Sequence, residues 1–75
     1  MTDLIGLSKD YVLSIFKEYV ITDVKGLLAV LGKDHEEAVA DNNMLTISII
    51  EQSYNALIKG KTLDEIRKEV GADDL

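Results

Sequence analysis

The stretch Asn42–Gly60, NNMLTISIIEQSYNALIKG, decides the fold, because it carries two hydrophobic periods at once. Leu45, Ile47 and Ile49 alternate with Thr46 and Ser48 as on a half-buried strand, while Ile47, Ile50, Tyr54, Leu57 and Ile58 recur as on one side of a helix. Length arbitrates. Between Asn43 and Lys59 no turn former is long enough to make a hairpin, and the span far exceeds a single strand of about five or six residues. A helix is therefore expected. At about 100° per residue it gathers Met44, Ile47, Ile50, Tyr54, Leu57 and Ile58 on one broad face and leaves Leu45, Ile49 and Ala56 on the other. A peripheral helix would carry polar groups there, so this one is either central, with neighbours on both sides, or bears a second adhesive stripe.

The flanking sequence contains no proline, so its breaks come from glycine, Asx residues and Ser/Thr caps. Upstream, Ser8 is a candidate cap for a helix with Val12, Ile15, Phe16, Tyr19 and Val20 on its apolar face. After VITD, Thr22 or Asp23 can cap a second helix running to Leu31 with the stripe Val24, Leu27, Leu28 and Leu31, and Gly32 as its left-handed stop. KDHEEAVADNN then reads as a short helix or turn with Asp34 and Glu37 at capping-box spacing, closed by Asn42 and Asn43. Downstream, Gly60 stops the long helix. KTLDEIRKEVG opens with a Thr62–Glu65 capping box, places Asp64 and Glu65 before Arg67 and Lys68 as the helix dipole prefers, and stops at Gly71. Leu63, Ile66 and Val70 are its docking residues. The expected fold class is all-α: a small bundle of four principal helices with a short fifth, as one domain over residues 1–75. Residues 1–7 and 72–75 are expected to be loosely packed.

Seventy-five residues without cysteine leave a thin core and no disulfide or thiolate–metal staple. The N-terminus has Asp3 where a signal peptide would be basic, and no apolar run approaches a membrane span, so a cytoplasmic protein is expected. The net charge of −6 is unevenly placed. Residues 1–33 balance, and residues 59–75 nearly do. Residues 34–58 hold Asp34, Glu36, Glu37, Asp41 and Glu51 with no Lys or Arg. Such a pole repels phosphate backbones and attracts basic surfaces, which argues against direct nucleic-acid binding.

Chemistry-bearing constellations are sparse. His35 lies among Asp34, Glu36 and Glu37, but adjacent helical residues point apart and there is no second histidine, so no metal site is expected. Ser8, Ser14, Ser48 and Ser53 lack a base and orienter, and the glycines form no phosphate-cradling loop. Neither catalysis nor a cofactor nor a small-molecule substrate is expected. GKTLDEIRKEVGADD resembles the first helix and turn of bacterial helix-turn-helix units over about fifteen residues. The resemblance implies, as an alternative, an accessory or remnant transcription regulator, although no recognition helix follows in the sequence. Acyl carrier proteins and nuclease-colicin immunity proteins share the size and acidity, but the Asp-Ser-Leu and Tyr-Tyr-Pro contexts of those families are absent.

What remains is recognition of another protein by an inhibitor, adaptor or regulatory subunit. Two surfaces are candidates: the apolar stripe Leu45, Ile49 and Ala56, and the acidic surface Asp34, Glu36, Glu37 and Asp41. Burying Leu45 and Ile49 would contribute about 1.5 to 3 kcal/mol each. They are expected under the N-terminal Leu4, Ile5 and Leu7, in a homodimer seam, or in a groove for a partner helix. The expected partner is another protein, with a basic surface as one option, or a second copy of the chain.

Overall fold

The computed structural model describes residues 3–75 and contains four helices in chain order, with no strand among the described residues. Helix α1 spans Leu4–Glu18, α2 spans Val24–Ala40, and α4 spans Leu63–Val70. Between them α3, Met44–Gln52, continues without a break into a wider π turn over Ser53–Ile58. The helical period wins in the segment that carried both. This continuous element packs against α1, α2 and α4, so the sequence alternative of a central helix is the one realised.

The central helix supplies Ile50, Leu57 and Ile58 to a core completed by Val12 and Ile15 of α1, Leu27 and Leu31 of α2, and Ile66 and Val70 of α4. Its π turn changes the register on the way. Lys59 N donates to Tyr54 O at 2.8 Å, an i to i+5 bond that adds one residue to the turn. Ile58 thereby stacks one turn beyond Ser53, and the adjacent Leu57 and Ile58 both face inward. The single face drawn at a fixed 100° is broken within the π turn, where Tyr54 is 40% exposed, and Met44, at the far end of the helix, is 65% exposed.

Ser8 caps nothing. Helix α1 begins four residues earlier, after Asp3, and Ser8 is wholly buried in it. Its hydroxyl donates to Leu4 O at 2.7 Å, with Ile49 O next nearest at 3.4 Å. Across the interface, Ser53 donates to Ile49 O at 2.7 Å and lies 3.5 Å from Ser8 O. Two small side chains that satisfy their own hydroxyls let the α1 and α3 backbones approach closely. The stretch 4–7, expected to be loose, is therefore helical, and Met1 and Thr2 lie outside the described residues. At its other end α1 stops at Glu18. Val20 is 93% exposed and Ile21 enters the core in its place.

The stop expected at Gly32 does not occur. Helix α2 runs through it to Ala40, so the second helix and the short fifth are one element. The expected Asp23 cap is present, accepting Gly26 N at 2.7 Å. A Cβ at Gly26 would stand 3.3 Å from that carboxylate, a tight approach. The real stop is Asn42 at φ 56°, with Asn43 N donating to Ala38 O at 2.8 Å, and Asn43 then caps α3 through Thr46 N. The capping box at Thr62 and Glu65 forms in full, and Gly71 closes α4 at φ 77°. The Thr62 backbone N–H, then its hydroxyl, hold the Glu65 carboxyl below its ordinary range. Beyond Gly71 the tail folds back far enough to bury Ala72, whose N–H donates to Arg67 O at 2.7 Å. No helix among the described residues is long and apolar enough to cross a membrane.

Candidate functional site

Because α2 and α3 are joined by the short Asp41–Asn43 link, they lie side by side, and the core fills only one side of the seam between them. On the other side runs an open groove of about 230 Å³. Leu28, Leu31 and Gly32 form its α2 wall, and Ile50 and Tyr54 its α3 wall, with His35 and Glu51 across it. His35 Nε2 stands 3.5 Å from Glu51 Oε2, bridging the two walls toward the end of α2. Past that bridge the α2 stripe continues four residues on through Val39, which is 54% exposed.

The groove owes its shape to three sequence features. Gly32, carried through the helix rather than ending it, offers no side chain where a Cβ would meet nothing within 4 Å. The π turn carries Tyr54 and Asn55 to the groove margin instead of into the core. Leu28, three and four residues from Leu31 and Gly32, stays partly exposed at 37%. A smooth helical wheel of the central helix hides this arrangement, but the spacing Leu28, Gly32, His35, Val39 is legible once α2 is known to be continuous.

The sequence-derived stripe does not assemble as one exposed surface. Leu45 is 57% exposed. Ile49 is half-buried on the α1 side, where its carbonyl accepts the Ser53 hydroxyl, and Ala56 packs against the core. The acidic residues divide likewise. Asp34 turns toward α1 and accepts the Tyr11 hydroxyl at 2.6 Å. Burial first, and then the bond and charge of Asp34, push the Tyr11 phenol far above its ordinary value. Glu37 and Asp41 follow Asp34 on that flank at helical spacing, and both are exposed. By helical spacing Glu36, four residues after Gly32, and Lys25, three before Leu28, both fall beside the α2 wall of the groove without lining it.

Electrostatically the groove is one-signed at its α2 C-terminal end. Glu36 and Glu51 flank it, residues 34–58 hold no Lys or Arg, and no basic residue stands in the last turn of α2 to offset the negative end of its dipole. Among the described residues no group of three or more His, Asp or Glu could hold a metal ion. In α4, the segment resembling a helix-turn-helix, Arg67 is turned inward: it lies 5.4 Å above the Phe16 ring and donates to Ile21 O at 2.8 Å. The chain matches no known protein family, no curated protein and no solved structure.

Proposed function

We propose that this chain is a small, non-enzymatic protein-binding module whose α2–α3 groove receives one amphipathic helix of a partner protein, apolar on one side and flanked by Lys or Arg. The observation that carries the proposal is the open apolar groove with Glu51 in its lining, at an end of α2 where residues 34–58 hold no Lys or Arg. Its volume falls below the roughly 300 to 1,000 Å³ of pockets that enclose small molecules, and its open length suits side chains projected from a helix at i, i+3 and i+4. Exposed Leu28, Val39 and Tyr54 give such a helix apolar surface to cover. Glu36 and Glu51 repel an acidic partner and favour a basic one. In this reading the module acts as an inhibitor, adaptor or regulatory subunit.

The test uses two synthetic helices with leucine at the same i, i+3, i+4 and i+7 positions, one otherwise lysine-rich and one glutamate-rich. The lysine peptide binds more tightly than the glutamate peptide. Gly32→Leu, which fills the groove from an exposed helical position with open space, weakens binding about tenfold or more while the thermal midpoint rises, since leucine exceeds glycine in helical preference. Glu36→Lys weakens it by about three- to tenfold, and Glu37→Lys, on the other flank, by less. Equal binding of the two peptides, or indifference to Gly32→Leu, removes the groove from the argument.

A further inference from the structure

The single arginine of the chain is held in place with its charge unanswered. Arg67 rises from α4 across the Phe16 ring and is tied to the Ile21 carbonyl, two contacts that fix the guanidinium between the end of α1 and the link to α2. A guanidinium has five N–H donors, and Ile21 takes one. Among the described residues the ion pairs are His35 with Glu51 and Lys61 with Glu69, so no carboxylate reaches Arg67 in a chain with 14 acids. The acids nearest in sequence to these contacts, Glu18, Asp23, Asp64, Glu65, Glu69, Asp73 and Asp74, are all exposed. Beside Arg67 opens a cup of about 210 Å³, walled by Phe16, Tyr19, Val20, Ile21 and Leu75.

We infer that this cup binds a carboxylate carried on a short apolar group. Arginine presents a planar fork that matches a carboxylate, and a fork already fixed by Phe16 and Ile21 has little orientational freedom left to lose. At about 30 Å³ for each water-sized group, the cup holds roughly seven heavy atoms, the size of a four- or five-carbon acid. Phe16 and Ile21, with the exposed Tyr19, Val20 and Leu75, offer apolar surface to the tail. Either a free short-chain carboxylic acid or the last residue of a peptide with a free C-terminus has this chemistry. The cup lies against α1, α4 and the α1–α2 link, and its ligand is independent of the α2–α3 groove.

The full chain, labelled with ¹⁵N, is titrated with sodium pentanoate, with pentanamide, and with a tripeptide ending in leucine as the free acid or the amide. Saturable shifts of the Arg67 Nε–Hε signal with pentanoate and not with pentanamide support the site. Shifts confined to the peptide acid support it with a chain terminus as the source. Acid and amide acting equally, or no saturable shift from any acid, overturns it. Because Arg67 is also a brace, Arg67→Ala risks the fold, and Asp73→Asn with Asp74→Asn provides the second arm. Removing two exposed charges of the ligand's own sign tightens pentanoate binding about two- to fourfold at low salt. Unchanged or weaker binding in that variant also overturns the proposal.

Discussion

Gly32→Ala separates a continuous α2 from two helices meeting at a glycine, because the two arrangements predict opposite signs. In the structure Gly32 sits in the interior of α2, exposed, and the glycines with positive φ are Gly60 and Gly71. A Cβ there meets nothing within 4 Å, so the substitution brings no clash. What remains is the helical preference of alanine over glycine, about 0.8 to 1.0 kcal/mol. For a domain of this size that raises the thermal midpoint by about 4 to 8 °C. Were Gly32 instead a left-handed stop, the new Cβ would be strained and the variant would lose about 1 kcal/mol. Thermal and urea unfolding of both proteins, followed by far-ultraviolet circular dichroism, read the sign directly. A lowered midpoint with an unchanged denaturant slope refutes the continuous helix. Gly26→Ala serves as the internal comparison. It gains the same propensity but crowds the Asp23 capping carboxylate from 3.3 Å, so gain and loss offset and its stability stays within about 0.5 kcal/mol of wild type.

Leu57→Ala, at a side chain only 1% exposed, costs about 2 to 5 kcal/mol, most of what so small a core supplies, whereas Leu45→Ala, at 57% exposure, stays within about 0.5 kcal/mol in the same urea titration. Tyr11→Phe removes the hydroxyl from Asp34 and lowers stability at neutral pH by about 1 kcal/mol; the phenol is raised in the folded state, so its contribution is complete below the unfolded value of about 10 and is lost only as pH climbs toward the folded one. Alkaline titration of the wild type therefore shows the Tyr11 phenol ionising later than a free tyrosine, or together with unfolding, and ordinary ionisation at constant fold contradicts the Asp34 bond. For Glu65 the sign reverses: its carboxyl is depressed in the folded state, so its contribution is present above about pH 4.3 and fades as pH falls through the folded value. Thr62→Ala lowers the thermal midpoint at pH 7 and flattens the dependence below pH 5, and parallel acid profiles for the two proteins count against the capping box.

The parts of this fold legible from the residues are those set by local chemistry. Thr62 and Glu65, Gly60 and Gly71, Asp23, and the Asn42–Asn43 pair each satisfy specific backbone groups within a few residues, and each acts where it was expected. The misplaced boundaries have a common origin in residues whose role depends on what lies across the interface. Ser8 looks like a cap because serine favours caps, yet it falls on the same stripe as Val12 and Ile15, and the nearby Ser53 makes the pair a close-approach contact. Gly32 looks like a stop because glycine favours stops. Inside α2 its helical cost is small beside the burial of Leu27, Leu31 and Ala38 on either side of it.

The same logic explains why Leu45, Ile49 and Ala56 do not form one exposed stripe. A wheel drawn at one angle assigns each residue of the central helix a single direction, so its leftover apolar residues look like one stripe. The structure changes the angle midway. The π turn after Ser53 advances the phase by one residue, directing Leu57 and Ile58 into the core, bringing Ala56 against it, and moving Tyr54 and Asn55 to the groove margin. Upstream of the turn, Ile49 is half-buried, and its carbonyl accepts the Ser53 hydroxyl at 2.7 Å with the Ser8 hydroxyl 3.4 Å away. Neither effect has a signature in hydrophobic period alone. A mid-helix serine opposite a second serine on a neighbouring apolar stripe is the sequence pattern that could have signalled the close approach of α1 to the central helix.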